Sequence, residues 1–598
     1  MRIRSVLAAA RWSSREIELM SPNGVHEAVP YWTEKMYKPG GGQDHLGLGS
    51  VVTDRILPRL SPGINVLTIH PRYWSFYAFV LSEFWKHDLP RTKAALRAWY
   101  RPLECIYSIG CSLCTGPDHR GTPIGTRRIA GVVAGEPEGF DPQFDYMDST
   151  MGGYGLYYAT AMQSIGLVAL ADPRLGLPVD VVTPAGQVVA DAFRSVIADT
   201  EYYCHWIDRH DELVPRRVAV EYGERACLCR LRDDAALDRP LLVDAFLHRG
   251  NAADSHARRE SLRFMCELAA QTDGSPVDQG SFRRLVYFGS DYGDDATDGP
   301  TFVPTADVER TARKWRLYQA REYFNAAVNE MWRRLCCWGL QRNGDAFPVP
   351  MAEVLDSIDE IDFASFAFSI EIKLPRGGLN ASSPFQKLVD WVMSVGAITG
   401  QLDDRWDLDA ALTEDWIIQW LGYGRASSDA GPEILAAALT LITFVAARLW
   451  APELALVEPA DWFPVVEGGR ERLGMQRFLN DLRQRVDAGA TVGEVARWLT
   501  LDYVIAQHER VAAAKLSTTG DTFRFRREAG RLRFFAKDAQ VGMNDSRFNA
   551  LATFLFELGW TGYLYEPDHP LSNEGEEVRS NGDVPPTGAF DSDVGGAQ

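Results

Sequence analysis

The stretch "TADVERTARKWRLYQAREYFNAAVNEMWRRLCCWGL", residues 305–340, decides the fold class. Apolar residues recur through it at helical spacing, and it is the longest such run in the chain. Thr305 is placed to cap its start, and Glu309 lies in the early turns, where an acid favours the helix dipole. The same pattern recurs around it. "PRYWSFYAFVLSEFWKHD" (71–88) and "RTKAALRAWYRPLECIYSIGCSLC" (91–114) read as helices, and after a polar, glycine-rich loop so does "GGYGLYYATAMQSIGLVAL" (152–170). Further helices are expected at 188–200, 254–272, 383–400, 431–451, 471–486 and 492–515. Strand signals are sparse, the clearest being "FASFAFSIEIKLP" (363–375) and the hairpin-like "TFRFRREAGRLRFF" (522–535). The expected class is therefore mainly α and multidomain, with small β elements (α+β) and a disordered acidic C-terminal tail. The boundaries fall near 145, 300 and 490. They give a mixed or helical N-terminal domain (1–145), a helical or mixed middle region (146–300) and a helical domain around the long helix (301–490). A C-terminal helix with an arginine-rich hairpin (491–565) and a polar tail (566–598) complete the chain.

The bulk numbers narrow the function classes. The chain has 598 residues, 46% hydrophobic and 24% charged, an ordinary globular composition with enough length for several cores. Its net charge of −19 repels nucleic acid and anionic lipid unless basic residues are gathered locally. Nine cysteines, an odd number in so long a chain, fit reduced thiols better than a disulfide framework. The opening "MRIRSVLAAARWSSRE" has an apolar run that Arg11 cuts far below signal-peptide length. The most apolar segment, "ILAAALTLITFVAARLW" (434–450), falls just short of a membrane span and carries Arg448, so it reads as a buried helix. A soluble, cytoplasmic protein with no membrane partner is expected.

"GGGQDHLGLGSVVTDRILPRL", residues 40–60, has the look of a phosphate-cradling loop. Such a loop follows a buried strand and opens a helix whose N–H groups reach the phosphates. Here the third glycine of a dinucleotide fingerprint falls on Val52, no Gly-Lys-Ser/Thr follows, and the preceding residues make no convincing strand. The stretch reads instead as a turn at Leu46–Gly49, with Gly49 or Ser50 capping a short helix that Pro58 interrupts.

Three other groups carry candidate chemistry. Cys111 and Cys114 form a C-x-x-C with Cys105 before and His119 after, a set able to ligate zinc. Their apolar, helical surroundings and the lack of a second C-x-x-C favour core packing, so no metal is expected. Cys204-His205 and the C-x-C of Cys227 and Cys229 are weaker still. In "DSIDEIDFASFAFSIEIKLP", Asp362, Glu371 and Lys373 follow the order in which many nucleases set an acid before E-x-K on a buried strand. There the carboxylates hold Mg²⁺ and the lysine steadies the attacking water. No other cofactor is implied. Alternation in the hairpin puts Arg524, Arg526, Arg531 and Arg533 on one face, and His508 and Lys515 share one face of the preceding helix. Like charges across a ladder are destabilising unless neutralised, by a phosphate backbone or by the protein's own carboxylates.

Taken together, "DHLGLGSVVTDRILPRLSPGINVLTIHPRYWSFYAFVL" resembles the opening of a functionally uncharacterised bacterial family. The shared marks are an Asp-x-Leu-Gly-aliphatic-Gly turn, a helix carrying Arg and Asp, a P-G piece and a T-x-x-R-Y-F segment entering a helix. They correspond here to Asp44, Leu46, Gly47, Gly49, Asp54, Pro62, Gly63, Thr68, Arg72 and Tyr73. "IGTRRIAG" and "YGLYYATAMQSIGL" extend the resemblance over the first third of the chain, while His70-Pro71 and Ser61 depart from it. The resemblance implies a setting in antiphage-defence islands and supplies no catalytic residues. The leading expectation is a non-catalytic component of a defence or DNA-processing system that contacts nucleic acid or proteins of its operon. The alternatives are a metal-dependent nuclease and a structural scaffold for partner proteins.

Overall fold

A computed structural model describes residues 43–590, apart from 136, 292–298, 345–346, 400–405, 407–409, 423–428, 451–473 and 538–541. The opening basic-apolar segment and the last eight residues therefore lie outside the described residues. The structure is mainly α-helical with a few short antiparallel strands. The helices used below are α1 (Arg72–Lys86), α2 (Lys93–Leu113), α3 (Pro184–Ile197), α4 (Arg216–Ala226), α5 (Ala252–Thr272), α6 (Glu309–Asn343), α7 (Pro432–Leu449), α8 (Ala506–Lys515), α9 (Phe548–Glu557) and α10 (Asn573–Asn581).

The long helix predicted from 305–340 is α6, which starts at Glu309. Thr305 contributes its backbone carbonyl, which accepts the Val308 and Glu309 N–H groups, in place of a side-chain cap. At a rise of about 1.5 Å per residue it runs about 50 Å through the middle of the molecule, and most of its circumference is buried. Two of the polar side chains inside it are paired across the core: Glu322 accepts from the Asn544 side chain at 2.9 Å, and Arg334 donates to the Ser357 carbonyl at 3.0 Å. The apolar α7 packs along α6. It is long and apolar enough to cross a membrane, but 94% of it is buried inside the protein. Arg448 near its end meets Glu414 within the core. One connected core of buried apolar residues extends from Leu46 to Phe590.

Two expectations are corrected. "FASFAFSIEIKLP" forms no strand: Phe363–Ser369 is a helix capped by Asp362 and followed by a turn. Phe363, Phe366, Ala367 and Ile370 are buried while Phe368 is 86% exposed, which is the i, i+3, i+4, i+7 spacing of a helix. The acidic tail is not disordered through residue 590. Ser572 caps α10, Val578 is fully buried, and Arg579 bridges to Glu267 of α5 at 3.0 Å.

The hairpin is present as β2 (Phe525–Glu528) and β3 (Arg531–Phe534), with β1 (Val349–Pro350) added on the outer side of β3. Its turn is the two-residue Ala529-Gly530, both at positive φ, the geometry that matches the twist of paired strands.

Candidate metal centre

The opening motif is built without a phosphate. Asp44, at φ 49°, turns its carboxylate onto the helix start at Leu48. One oxygen accepts the Gly49 N–H at 2.9 Å and the other the Ser50 N–H at 2.8 Å. The amides an anion would require are thus satisfied by the chain's own acid. The N-cap position is Gly47, in the left-handed region, and the Asp44 carboxylate satisfies the first-turn amides, so neither Gly49 nor Ser50 is the cap. The same loop accounts for two residues assigned above to nucleic acid. Lys515 donates to the Gln43 and Asp44 carbonyls at 2.5 and 2.8 Å. His508 is fully buried between the loop and the hairpin. Its Nε2 accepts the Arg524 N–H at 2.9 Å and its Nδ1 faces the His45 carbonyl at 3.2 Å, so the neutral ring carries its proton on Nδ1.

Burial lowers the His508 pKa to about 3, against a smaller opposing effect of the bond to His45. The unfolded chain takes up this proton near pH 6.5 and the folded chain only near 3, so acid favours unfolding. Stability present above pH 6.5 is lost as the pH falls towards 3, by up to about 1.4 kcal/mol per pH unit. Urea midpoints at pH 7 and pH 5 measure this drop, and His508→Gln is expected to flatten it. An equal drop in the variant contradicts the assignment.

In the hairpin, Arg526 stands opposite Arg533 across the ladder. Arg526 pairs with Asp521, and Arg533 pairs with Glu528 at 2.8 Å. Arg524 is buried and Arg531 is exposed. The like charges are neutralised by carboxylates of the protein.

Asp362 is a helix cap. Its oxygens accept the Ser365 N–H at 2.9 Å and the Ser365 hydroxyl at 2.5 Å. Burial opposes its charge, but these bonds outweigh it and hold the carboxyl below the usual range. Glu371, at φ 58°, and Lys373 lie exposed in the turn that follows. Asp362→Ala is expected to lower stability by about 1 kcal/mol and Asp362→Ser to keep most of it, as read by denaturant unfolding.

The cysteines give the most organised cluster. Helices α2 and α4 cross where Gly110 meets Gly223. A Cβ built on Gly223 would lie 2.1 Å from the Gly110 carbonyl oxygen, so only glycine permits this approach. Each helix then ends three residues later, and Cys114 and Cys227 are the first residues beyond the two ends. Arg72, fully buried and paired with Asp238, donates to the Cys227 carbonyl at 2.8 Å and to the Arg225 carbonyl at 3.2 Å, fixing the end of α4. From these two points the chain supplies Cys114, His119, Cys227 and Cys229, whose ligand atoms all lie within 4.8 Å of one another.

Three edges of this cluster are short. Cys114 Sγ to Cys229 Sγ is 3.6 Å, Cys227 Sγ to Cys229 Sγ is 3.5 Å, and Cys227 Sγ to His119 Nδ1 is 3.3 Å. A tetrahedral zinc ion with bonds of about 2.3 Å to sulfur and 2.0 Å to nitrogen spans edges of about 3.8 and 3.5 Å, close to these. The Gly116 N–H donates to Cys114 Sγ at 3.4 Å. A Cβ on Gly116 would come 3.3 Å from Cys229 Sγ, so glycine lets the loop close over the sulfurs. Hydrogen bonds from the Cys227 and Cys229 thiols hold Cys114 far below the ordinary thiol range, while Cys227 and Cys229 are pushed up. Burial opposes the charge of Arg230, but Cys114 and Asp233 outweigh it and raise its pKa. Two helix C-termini, each carrying partial negative charge, also point here, which favours a cation.

Of the zinc set read around the C-x-x-C, Cys114 and His119 enter the cluster, joined by the C-x-C of Cys227 and Cys229 that the sequence ranked as weaker. Cys105 is buried against the Asp141 carbonyl, and Cys111 lies beside Cys227 without joining the four. The missing half is the C-x-C, 108 residues beyond His119. The sequence signal was C-x₄-H with C-x-C, neither of which has the C-x-x-C spacing sought. Comparison with known proteins leaves this geometry to speak for itself: no family model matches the chain, and neither a curated protein nor a solved structure does.

Proposed function

We propose that the chain is a non-catalytic helical scaffold for partner proteins, with a structural zinc ion on Cys114, His119, Cys227 and Cys229. The observation that carries this reading is the convergence of the four ligand atoms within 4.8 Å. Three thiolates and one imidazole are a closed tetrahedral donor set with no position left for substrate, which is the pattern of structural zinc. Proteins are favoured over nucleic acid as partners because the net charge is −19 and Arg526, Arg533, His508 and Lys515 are engaged within the protein. In the setting that the resemblance implies, these partners belong to a bacterial defence assembly.

The test is metal content. Protein purified without chelator should carry one zinc per chain by mass spectrometry of the metal. Cobalt substitution should give the intense absorption of a tetrahedral thiolate site. Cys227→Ser and His119→Ala should each lose the ion. Intact protein that binds neither zinc nor cobalt overturns the reading, and so does Mg²⁺-dependent cleavage of DNA or RNA by the zinc-loaded chain.

A further inference from the structure

We infer that the metal centre is also a thiol switch: peroxide converts Cys114 and Cys229 to a disulfide and expels the zinc. This rests on the zinc reading above and adds a regulation to it. Three observations carry it. The Cys114 and Cys229 sulfurs are 3.6 Å apart, in contact already, so a covalent bond between them needs only a small closing movement. The remaining pair, Cys227 and His119, offers two ligands, too few to hold a structural zinc ion. A cleft of about 540 Å³ opens beside the centre and is lined by Arg72, Asp199, Glu224, Arg225, Arg230 and Asp233. Arg230 lines that cleft and its guanidinium also lies against the Gly116 turn over Cys229, while His119 at the rim of the centre is only partly buried.

The oxidant is a hydroperoxide, hydrogen peroxide being the simplest. Cys114 Sγ attacks one peroxide oxygen, the O–O bond breaks, and hydroxide leaves and is protonated to water. Cys229 Sγ then attacks Cys114 Sγ, the S–S bond forms, and the second oxygen leaves as hydroxide, again protonated to water. Two thiolates are oxidised by two electrons in all, one peroxide is reduced to two waters, and Zn²⁺ departs with two of its four ligands gone. Cys111, buried beside Cys227, keeps a thiol next to the ligand that remains.

Cys204 gives an internal control, since it alone of the nine cysteines is exposed. Zinc-loaded protein is titrated with hydrogen peroxide while released zinc is followed with a chromogenic chelator, free thiols are counted, and linked peptides are mapped by mass spectrometry. The expected result is one zinc released for two centre thiols lost, a Cys114–Cys229 linked peptide, and full return of zinc binding after reduction. Cys204→Ser should release zinc to the same extent. Zinc retained while Cys204 is oxidised overturns the switch and leaves the metal reading standing. Release with a different pairing, or with sulfinic acid on Cys114, overturns it as well. Protein that holds no zinc before peroxide is added overturns the metal reading and the switch with it.

Discussion

Replacing Arg448 by methionine is expected to destabilise the protein by about 3–5 kcal/mol. Arg448 and Glu414 are both fully buried, and the guanidinium bonds both carboxylate oxygens, at 2.6 and 3.0 Å. The Tyr287 hydroxyl donates to the same carboxylate at 2.9 Å. The rings of Tyr287, Phe288, Trp406 and Phe444 surround the cation within 6 Å of its centre. Taking away the cation leaves the Glu414 carboxylate in an aromatic interior with, among the described residues, the Tyr287 hydroxyl as its neutral side-chain donor. Much of the loss therefore comes from the stranded acid and not from the missing attraction. The combined variant Arg448→Met, Glu414→Leu removes both charges and should recover most of the stability. Denaturant unfolding of the wild type, the single and the double variant checks this, and a double variant no better than the single contradicts it.

Gly223→Ala is expected to cost about 3 kcal/mol, at the upper end of what overpacking does, because the added methyl meets backbone and not a yielding side chain. The atoms in its way are the Gly110 carbonyl oxygen and carbon, 2.1 and 2.6 Å from the new Cβ. Helices α2 and α4 must move apart. Cys114 and Cys227 each follow their glycine by four residues, so the same movement stretches the metal cluster. The variant should lose zinc affinity together with thermal stability. A control on α4 that meets no backbone, Glu224→Ala, should change neither by much. Zinc affinity that stays at the wild-type level in Gly223→Ala contradicts the coupling of the crossing to the site.

What the chain reveals before folding depends on whether one period or two are compatible with the same residues. Over 305–340 only a helix accommodates the apolar spacing, and α6 is found there. In "FASFAFSI" both periods fit for a few residues. The alternation suggested a strand, but the Asp362 cap and the burial of Phe363, Phe366 and Ile370 select the helix. The segment after Glu566 is poor in apolar residues, and composition alone points to disorder. It is held by contacts that composition does not weigh, such as Arg579 with Glu267 and the Thr587 hydroxyl with Asp244. The hairpin was legible because its alternation and turn are local. The metal cluster was only half legible. Cys114 and His119 lie close in sequence, but the proximity of Cys227 and Cys229 follows from a helix crossing made possible by two glycines, which no local pattern records.

The distance between the two halves of the metal cluster along the chain sets a clock on synthesis. Cys229 is 115 residues beyond Cys114. At ~5–20 residues per second, roughly 5–20 s separate the appearance of the first two ligands from that of the last two. During that interval an emerging chain carries only two of the four residues of the centre, Cys114 and His119, alongside Cys105 and Cys111. In the proposed zinc site the four-ligand set is complete only after α4 has formed and docked on α2. Zinc held by all four residues would thus report that the two helices have met, and a chain arrested before Cys229 would lack the complete set.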